Sequence, residues 1–133
     1  MTFDALGGLT GHPDHVHTHR VTVRAAEAAG LDAYPDAGPP WAPSTVYLAT
    51  HPRSSVQAVR EIVGARRALN ATLDEEVTDR VDVSPWLDQK VAAILAHRSE
   101  VDRGALPGLI ARLSPVDREQ LLSTEWFIRR PLA

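Results

Sequence analysis

One junction near the amino terminus constrains the fold more than any other stretch. Thr2-Phe3-Asp4 reads as the end of a strand, and it runs at once into a glycine-bearing loop, Gly7-Gly8-Leu9-Thr10-Gly11. Pro13 follows, a residue suited to the first helical position because its missing N–H would be unpaired there anyway. The spacing predicts a helix from Pro13 to about Ala29, with Gly30 at the C′ position after the last turn. Most domains do not begin inside a strand-to-loop junction. The chain therefore reads as part of a larger domain.

The remainder continues the alternation. Leu31 to Pro43 holds four prolines and one glycine and reads as a loop. Ser44 to Thr50 is β-branched and aromatic, a strand signal. Ser54 to Leu69 has helical period, with Val56, Val59, Ile62, Val63 and Ala65 toward a core and Arg60, Glu61, Arg66 and Arg67 outward. Glu76 to Val83 puts Val77, Asp79, Val81 and Val83 on one face of a strand. Ser84-Pro85 supplies an N-cap and a proline at N1 for a helix to about Ser99, with Leu87, Val91, Ile94 and Leu95 as its core stripe. A short helix around Pro107 to Leu113, another opening at Ser114-Pro115, and a last strand over Glu125 to Arg129 complete the reading. Strands alternating with helices imply an α/β layer architecture.

Composition narrows the function. Hydrophobic residues are 44% and charged residues 23% of 133, a globular balance. A net charge of −3 favours neither nucleic acid nor an anionic membrane as partner. No run approaches the ~20 apolar residues of a membrane span, and no secretory signal is visible. With no cysteine, disulfides, thiolate metal sites and cysteine nucleophiles are excluded, and a reducing, cytoplasmic setting is expected.

Four of the six histidines, His12, His15, His17 and His19, lie within eight residues. On a helix beginning near Pro13, positions 12, 15 and 19 share a face, continued by Val23 and Ala26, while His17 points elsewhere. Asp14 falls in the first turn, where the helix dipole favours a carboxylate. Three readings stand open on spacing alone. The histidines form a solvated helix start, a metal site requiring at least three protein ligands, or a histidine acid oriented by an aspartate.

The stretch Thr2-Phe3-Asp4 through Gly8-Leu9-Thr10-Gly11-His12-Pro13-Asp14-His15-Val16-His17-Thr18-His19 resembles the second active-site motif of the zinc-dependent PIG-L (LmbE-like) deacetylases. It is most similar to the actinobacterial branch holding the mycothiol-pathway deacetylases. Val81-Asp82-Val83-Ser84, then Lys90 through His97-Arg98-Ser99, resembles the family's C-terminal helix, and Glu125-Trp126-Phe127 its final strand. The resemblance implies the C-terminal portion of a Rossmann-like, three-layer αβα domain over residues 1–133. It implies hydrolysis of an N-acetyl group from an amino sugar or glycoconjugate, with zinc as cofactor and a small N-acetylated sugar as substrate. By the same resemblance His15 is a zinc ligand, His12 stabilises the oxyanion and can protonate the leaving amine, and Asp14 tunes His12.

The sequence also departs from the family. The family's first motif, an N-terminal His-Pro-Asp-Asp, supplies its other histidine ligand, its aspartate ligand and its aspartate base. Here the only other His-Pro is His51-Pro52, followed by Arg53-Ser54 with no acid. Thr10 stands where the mycothiol branch often has tyrosine. The expectation is an incomplete, inactive fragment that self-associates through uncovered half-domain surface. The alternatives are a non-catalytic subunit that retains the fold, or a metal-binding module built from His12, His15 and His19.

Elsewhere, His97 is expected to be packed and hydrogen-bonded on the face of Ile94, and Lys90 to pair with Asp88 or Glu100 or be solvated. Trp41, Trp86 and Trp126 are expected as core and edge aromatics. Asp74, Glu75 and Glu76 read as a solvated approach to a strand.

Overall fold

The computed structural model describes residues 1–32, 36, 38–63 and 68–132. Four strands, β1 (Thr2–Phe3), β2 (Thr45–Thr50), β3 (Asp79–Asp82) and β4 (Thr124–Pro131), form one mixed sheet in the order β1-β2-β4-β3. β1 and β2 are parallel, Thr2 opposite Leu48 and Phe3 opposite Ala49. β4 runs antiparallel to both neighbours, pairing Leu48 with Ile128 and Arg80 with Trp126. Among the described residues six α-helices accompany the sheet: α1 (Pro13–Ala29), α2 (Arg53–Val63), α3 (Leu87–Leu95), α4 (Arg98–Asp102), α5 (Leu106–Ala111) and α6 (Pro115–Leu122). This is the α/β architecture expected, consistent with part of a Rossmann-like αβα domain.

The core is small and centred on β2 and α2. Val46, Leu48 and Thr50 alternate to one buried face of β2, as the period of a strand requires. Val23 of α1, Val56 and Val59 of α2, Ile110 of α5 and Phe127 of β4 complete the buried apolar set. In α2 the expected inward residues Val56 and Val59 are buried and Arg60 and Glu61 exposed. The expected positions Ala65, Arg66 and Arg67, and the side chain of Val63, lie outside the described residues, as do parts of the loop between Leu31 and Pro43.

α1 begins and ends where the sequence indicates, but Gly30 does not adopt the left-handed conformation of a C′ glycine. Its φ is −80° and ψ −7°. The chain leaves instead by a tight turn, Leu31 donating to Ala28 O (3.0 Å), while Trp41 N–H caps the open carbonyl of Ala29 (2.8 Å). α6 follows the rule: Pro115 at N1, with Ser114 Oγ accepting from Asp117 N–H at 3.1 Å.

Three elements differ from expectation. β3 starts at Asp79, because Asp74–Glu76 forms a 3-10 turn that takes up the approach. Among the described residues β3 pairs only with β4, so its expected inward face is only partly covered, and Val81 is 42% exposed. The helix expected from Ser84 opens as a 3-10 turn over Ser84–Trp86 and becomes α3 only at Leu87. It breaks again at His97, whose ψ of 65° interrupts the i→i−4 ladder, so α4 is a separate helix and Leu87, Val91, Ile94 and Leu95 are half-buried rather than core. Trp41 and Trp86 are 71% and 58% exposed, since one lies in the proline loop and the other in that 3-10 turn. Trp126 is half-buried on β4.

Candidate active site

The glycine loop after β1 is held from both sides. Asp4, a buried carboxylate, accepts through Oδ1 from the N–H groups of Leu6 (3.0 Å) and Gly8 (2.9 Å). Its Oδ2 accepts the Thr50 hydroxyl at 2.6 Å, so Thr50 Oγ1 in turn accepts from Thr72 Oγ1 at 2.7 Å. From the other side Asn70 Nδ2 donates to the carbonyls of Leu6 (2.9 Å) and Gly8 (3.4 Å), and Asn70 N–H to Leu9 O (2.9 Å). The N–H groups of Leu6 and Gly8 thus meet an acceptor, and the carbonyls of Leu6, Gly8 and Leu9 a donor. Gly7 has φ 77°, and a Cβ there would stand 2.8 Å from Val16 Cγ2. Glycine is the residue that fits both conditions.

The loop delivers His12 as the N-cap of α1. Its Nδ1 accepts from Asp14 N–H at 3.2 Å, a cap made with an imidazole rather than a hydroxyl or carboxylate. Asp14 Oδ2 lies 3.7 Å from the same Nδ1. While Nδ1 accepts, its proton is absent and Nε2 carries the N–H. Once Nδ1 is protonated the Asp14 carboxylate is its nearest acceptor. Both side chains are exposed.

His15 is half-buried one turn on. Its ring stacks on Phe3, centroids 3.9 Å apart and planes within 7°, and Nδ1 donates to Gly7 O at 3.2 Å. That bond fixes the proton on Nδ1 and leaves Nε2 free to ligate. His12 and His15 approach to 5.6 Å between centroids. His19 donates Nδ1–H to Phe3 O at 2.8 Å, and His17 is exposed. Among the described residues no three His, Asp or Glu side chains are brought together to hold a metal ion. The histidine module of positions 12, 15 and 19 is therefore not assembled, and for zinc the described residues offer no closed ligand set.

A cavity of about 510 Å³ opens beside His15, lined by residues of the glycine loop, α2, α3, α5, α6 and β4. His51 lines it, at the carboxyl end of β2 and 6.1 Å from the Trp126 ring. Burial lowers the pKa of His51 below the ordinary histidine value, against the partial upward pull of Asp4, with Lys90 adding to the lowering and Glu125 opposing it. His51 is thus a neutral imidazole at neutral pH. In the sequence, His51-Pro52 stands out only as lacking a following acid. The signal for it was its place just past a strand that pairs in parallel with β1, at the carboxyl edge where α/β sheets bind ligands.

His97 also lines this cavity but is exposed at the α3–α4 break, not packed against a helix face. Lys90 Nζ donates to Leu122 O (2.9 Å) and pairs with Glu125 (3.1 Å), neither of the expected partners, because the strand and helix ends brought alongside are distant in sequence. Asp74, Glu75 and Glu76 are exposed as expected.

No family model matches the chain. It is similar to the "1D-myo-inositol 2-acetamido-2-deoxy-alpha-D-glucopyranoside deacetylase" of Rhodococcus erythropolis, 36% identical over 110 residues that cover 76% of this chain and 37% of the relative. The protein of the same name from Rhodococcus jostii is 34% identical over 96% of this chain and 46% of its own. The one from Streptomyces avermitilis is 34% identical over 96% and 47%. The chain spans less than half the length of these relatives.

Proposed function

The chain belongs to the PIG-L (LmbE-like) family, on the actinobacterial branch of the mycothiol-pathway deacetylases, and from that premise we propose that it supplies one part of an active site hydrolysing the N-acetyl group of an amino sugar or sugar conjugate. The observation that carries the proposal is His15, with Nδ1 tied to Gly7 O, Nε2 free and the ring at the wall of a cavity, beside the His12–Asp14 pair. In this reading the substrate is a small N-acetylated sugar, zinc is the metal and the protein works in the cytoplasm. No described helix is long and apolar enough to cross a membrane.

In this reading each residue takes the role that the family resemblance implies, and its position supports it. His12, exposed at the helix start, donates its proton to the leaving amine, and its cationic form stabilises oxyanion charge as the carbonyl carbon becomes tetrahedral. Asp14, 3.7 Å from Nδ1, stabilises the protonated imidazole. His15 is the one zinc ligand this chain provides. Because the described residues do not complete a zinc site, no step is assigned to the metal, and residues 1–133 by themselves are inactive in this reading.

The test measures free amine released from N-acetylglucosaminyl-inositol. The chain alone gives no turnover above His15→Ala, and adding or fusing a relative's His-Pro-Asp-Asp segment restores it. Turnover by the chain alone overturns the incompleteness. Failure of every complemented form overturns the hydrolase reading and favours the second one, a non-catalytic subunit keeping the fold, which the unassembled ligand set supports.

A further inference from the structure

We propose that His51 is a specificity-determining residue whose imidazole hydrogen-bonds a hydroxyl of the N-acetylated sugar, seated in the cavity that His51 shares with His15. The proposal rests on the substrate class proposed above and adds to it a residue outside the family motif.

The topology brings His51 to this place. β1 and β2 run parallel, and their carboxyl ends lead into the glycine loop and into His51 respectively. Gly8, Leu9 and Thr10 of that loop, His15 just beyond it and His51 all line one cavity. Such carboxyl edges are where α/β sheets bind ligands. At about 510 Å³ the cavity falls within the ~300–1,000 Å³ of small-molecule sites.

The chemistry of the imidazole selects a hydroxyl. His51 is half-buried, yet among the described residues no hydrogen bond engages its ring. Burial keeps the ring neutral at neutral pH, so one nitrogen donates and the other accepts. A hydroxyl also does both, whereas an ammonium only donates and a carboxylate only accepts. The surroundings suit the rest of a sugar. Trp126 stands opposite Thr50 on β2 and opposite Arg80 on β3, and residues so paired share a face of the sheet. The Trp126 ring, 6.1 Å from that of His51, offers apolar area to the carbon skeleton. Arg80 adds donors to the same wall, and Ser55, Gln120 and Thr124 add further polar groups. A hydroxyl-rich ring therefore finds both polar partners and apolar surface here.

The experiment titrates the full chain with N-acetylglucosamine and with its monodeoxy analogues, reading affinity by calorimetry and the histidine ring nitrogens by NMR. The sugar should move the ring-nitrogen resonances of His51 and leave those of His17, exposed on α1, in place. One deoxy analogue should bind the native chain about tenfold more weakly than the parent sugar. His51→Leu should weaken the parent sugar by a similar factor and show no further loss with that analogue. His51→Gln, whose amide also donates and accepts, should recover most of the affinity. The NMR arm uses the native chain, so it holds whether or not a variant folds. Absence of binding, His51 resonances unmoved by saturating sugar, additive losses, or His51→Gln binding no better than His51→Leu each overturn the proposal. Amide cleavage is scored separately on the complemented enzyme. Binding that depends on His51 without cleavage supports the role and sinks the hydrolase reading; cleavage with kcat/KM unchanged by His51→Leu does the reverse.

Discussion

The Nδ1 of His15 lies 3.2 Å from the carbonyl oxygen of Gly7, eight residues earlier in the chain. A carbonyl can only accept, so the contact selects the Nδ1–H tautomer and frees Nε2. The same carbonyl belongs to a loop whose N–H groups end on Asp4 and whose neighbouring carbonyls end on Asn70. The imidazole is therefore oriented by a buried carboxylate it never touches, through a turn that glycine makes possible.

Gly7→Ala should disturb both stability and the imidazole. The left-handed backbone alone costs about 1–2 kcal/mol for a residue with a Cβ, and here that Cβ also meets Val16. Gly104 has φ 68° and nothing within 4 Å of its would-be Cβ, so Gly104→Ala carries only the backbone term. Urea unfolding should rank Gly7→Ala as the more destabilised. The His15 ring resonances should move in Gly7→Ala and not in Gly104→Ala.

Asp4→Ala leaves two N–H donors of the loop and the Thr50 hydroxyl without their acceptor. Each unsatisfied buried group costs about 1–3 kcal/mol, so this substitution, which removes three bonds, should destabilise more than Thr50→Val, which removes two, to Asp4 and to Thr72. A double-mutant cycle should show a favourable coupling between the two residues. Simple additivity would mean that the 2.6 Å contact contributes nothing of its own.

His51 makes stability depend on pH with a definite sign. Its pKa is lowered in the folded state, mainly by burial, while in the unfolded chain it titrates near 6.5. Above that pH both states are neutral and the residue contributes no slope. Below it the unfolded state takes up a proton that the folded state does not, so stability falls as pH drops. Urea midpoints at pH 7.5 and 5.5 should therefore differ more for the native chain than for His51→Gln. Equal differences would show that His51 carries no such linkage.

Local signals gave α1 and β2 almost residue for residue, and the start of α6, because proline at N1, serine at a cap and β-branched alternation are written within a few positions. The breaks at Ser84–Trp86 and His97 were not legible. Neither glycine nor proline marks His97, and the apolar period runs straight through it. The exposure of Val81 was hidden for another reason: alternation tells which residues share a face, not whether a layer covers it. Within the site, His12, Asp14 and His15 came from motif spacing, while Asp4, Asn70 and His51 are joined to it only by tertiary contacts such as Asn70 to Leu6, sixty-four residues apart.

Uncovered surface supplies a prediction about association. β1 pairs only with β2 among the described residues, and Leu6 of the loop that follows it, Val21 of α1 and Leu31 just past α1 are 46%, 52% and 60% exposed. A free strand edge and exposed apolar side chains each favour association. Sedimentation velocity of residues 1–133 should show concentration-dependent oligomers. A single monomeric boundary across a hundredfold concentration range would refute this.

The roles of His12, Asp14 and His15 separate in a complemented enzyme because the structure gives each a different neighbour. His15 has its Nε2 free at the cavity wall, so His15→Ala should lower zinc content and activity together. His12 uses Nδ1 on the helix cap and stands outside the cavity, so His12→Ala should keep zinc and lose rate by about 10²–10³-fold, as for a lost oxyanion donor. That variant also loses an N-cap, a stability cost of about 1 kcal/mol. His12→Asn keeps a capping side chain without a titratable imidazole, and should recover stability but not rate. Asp14→Asn should keep zinc and slow turnover less than His12→Ala, since it removes the charge beside the imidazole and not the imidazole itself. Metal analysis, unfolding curves and rates on the four variants decide the assignment. Loss of zinc from His12→Ala would make His12 a ligand and reverse the two histidines' roles.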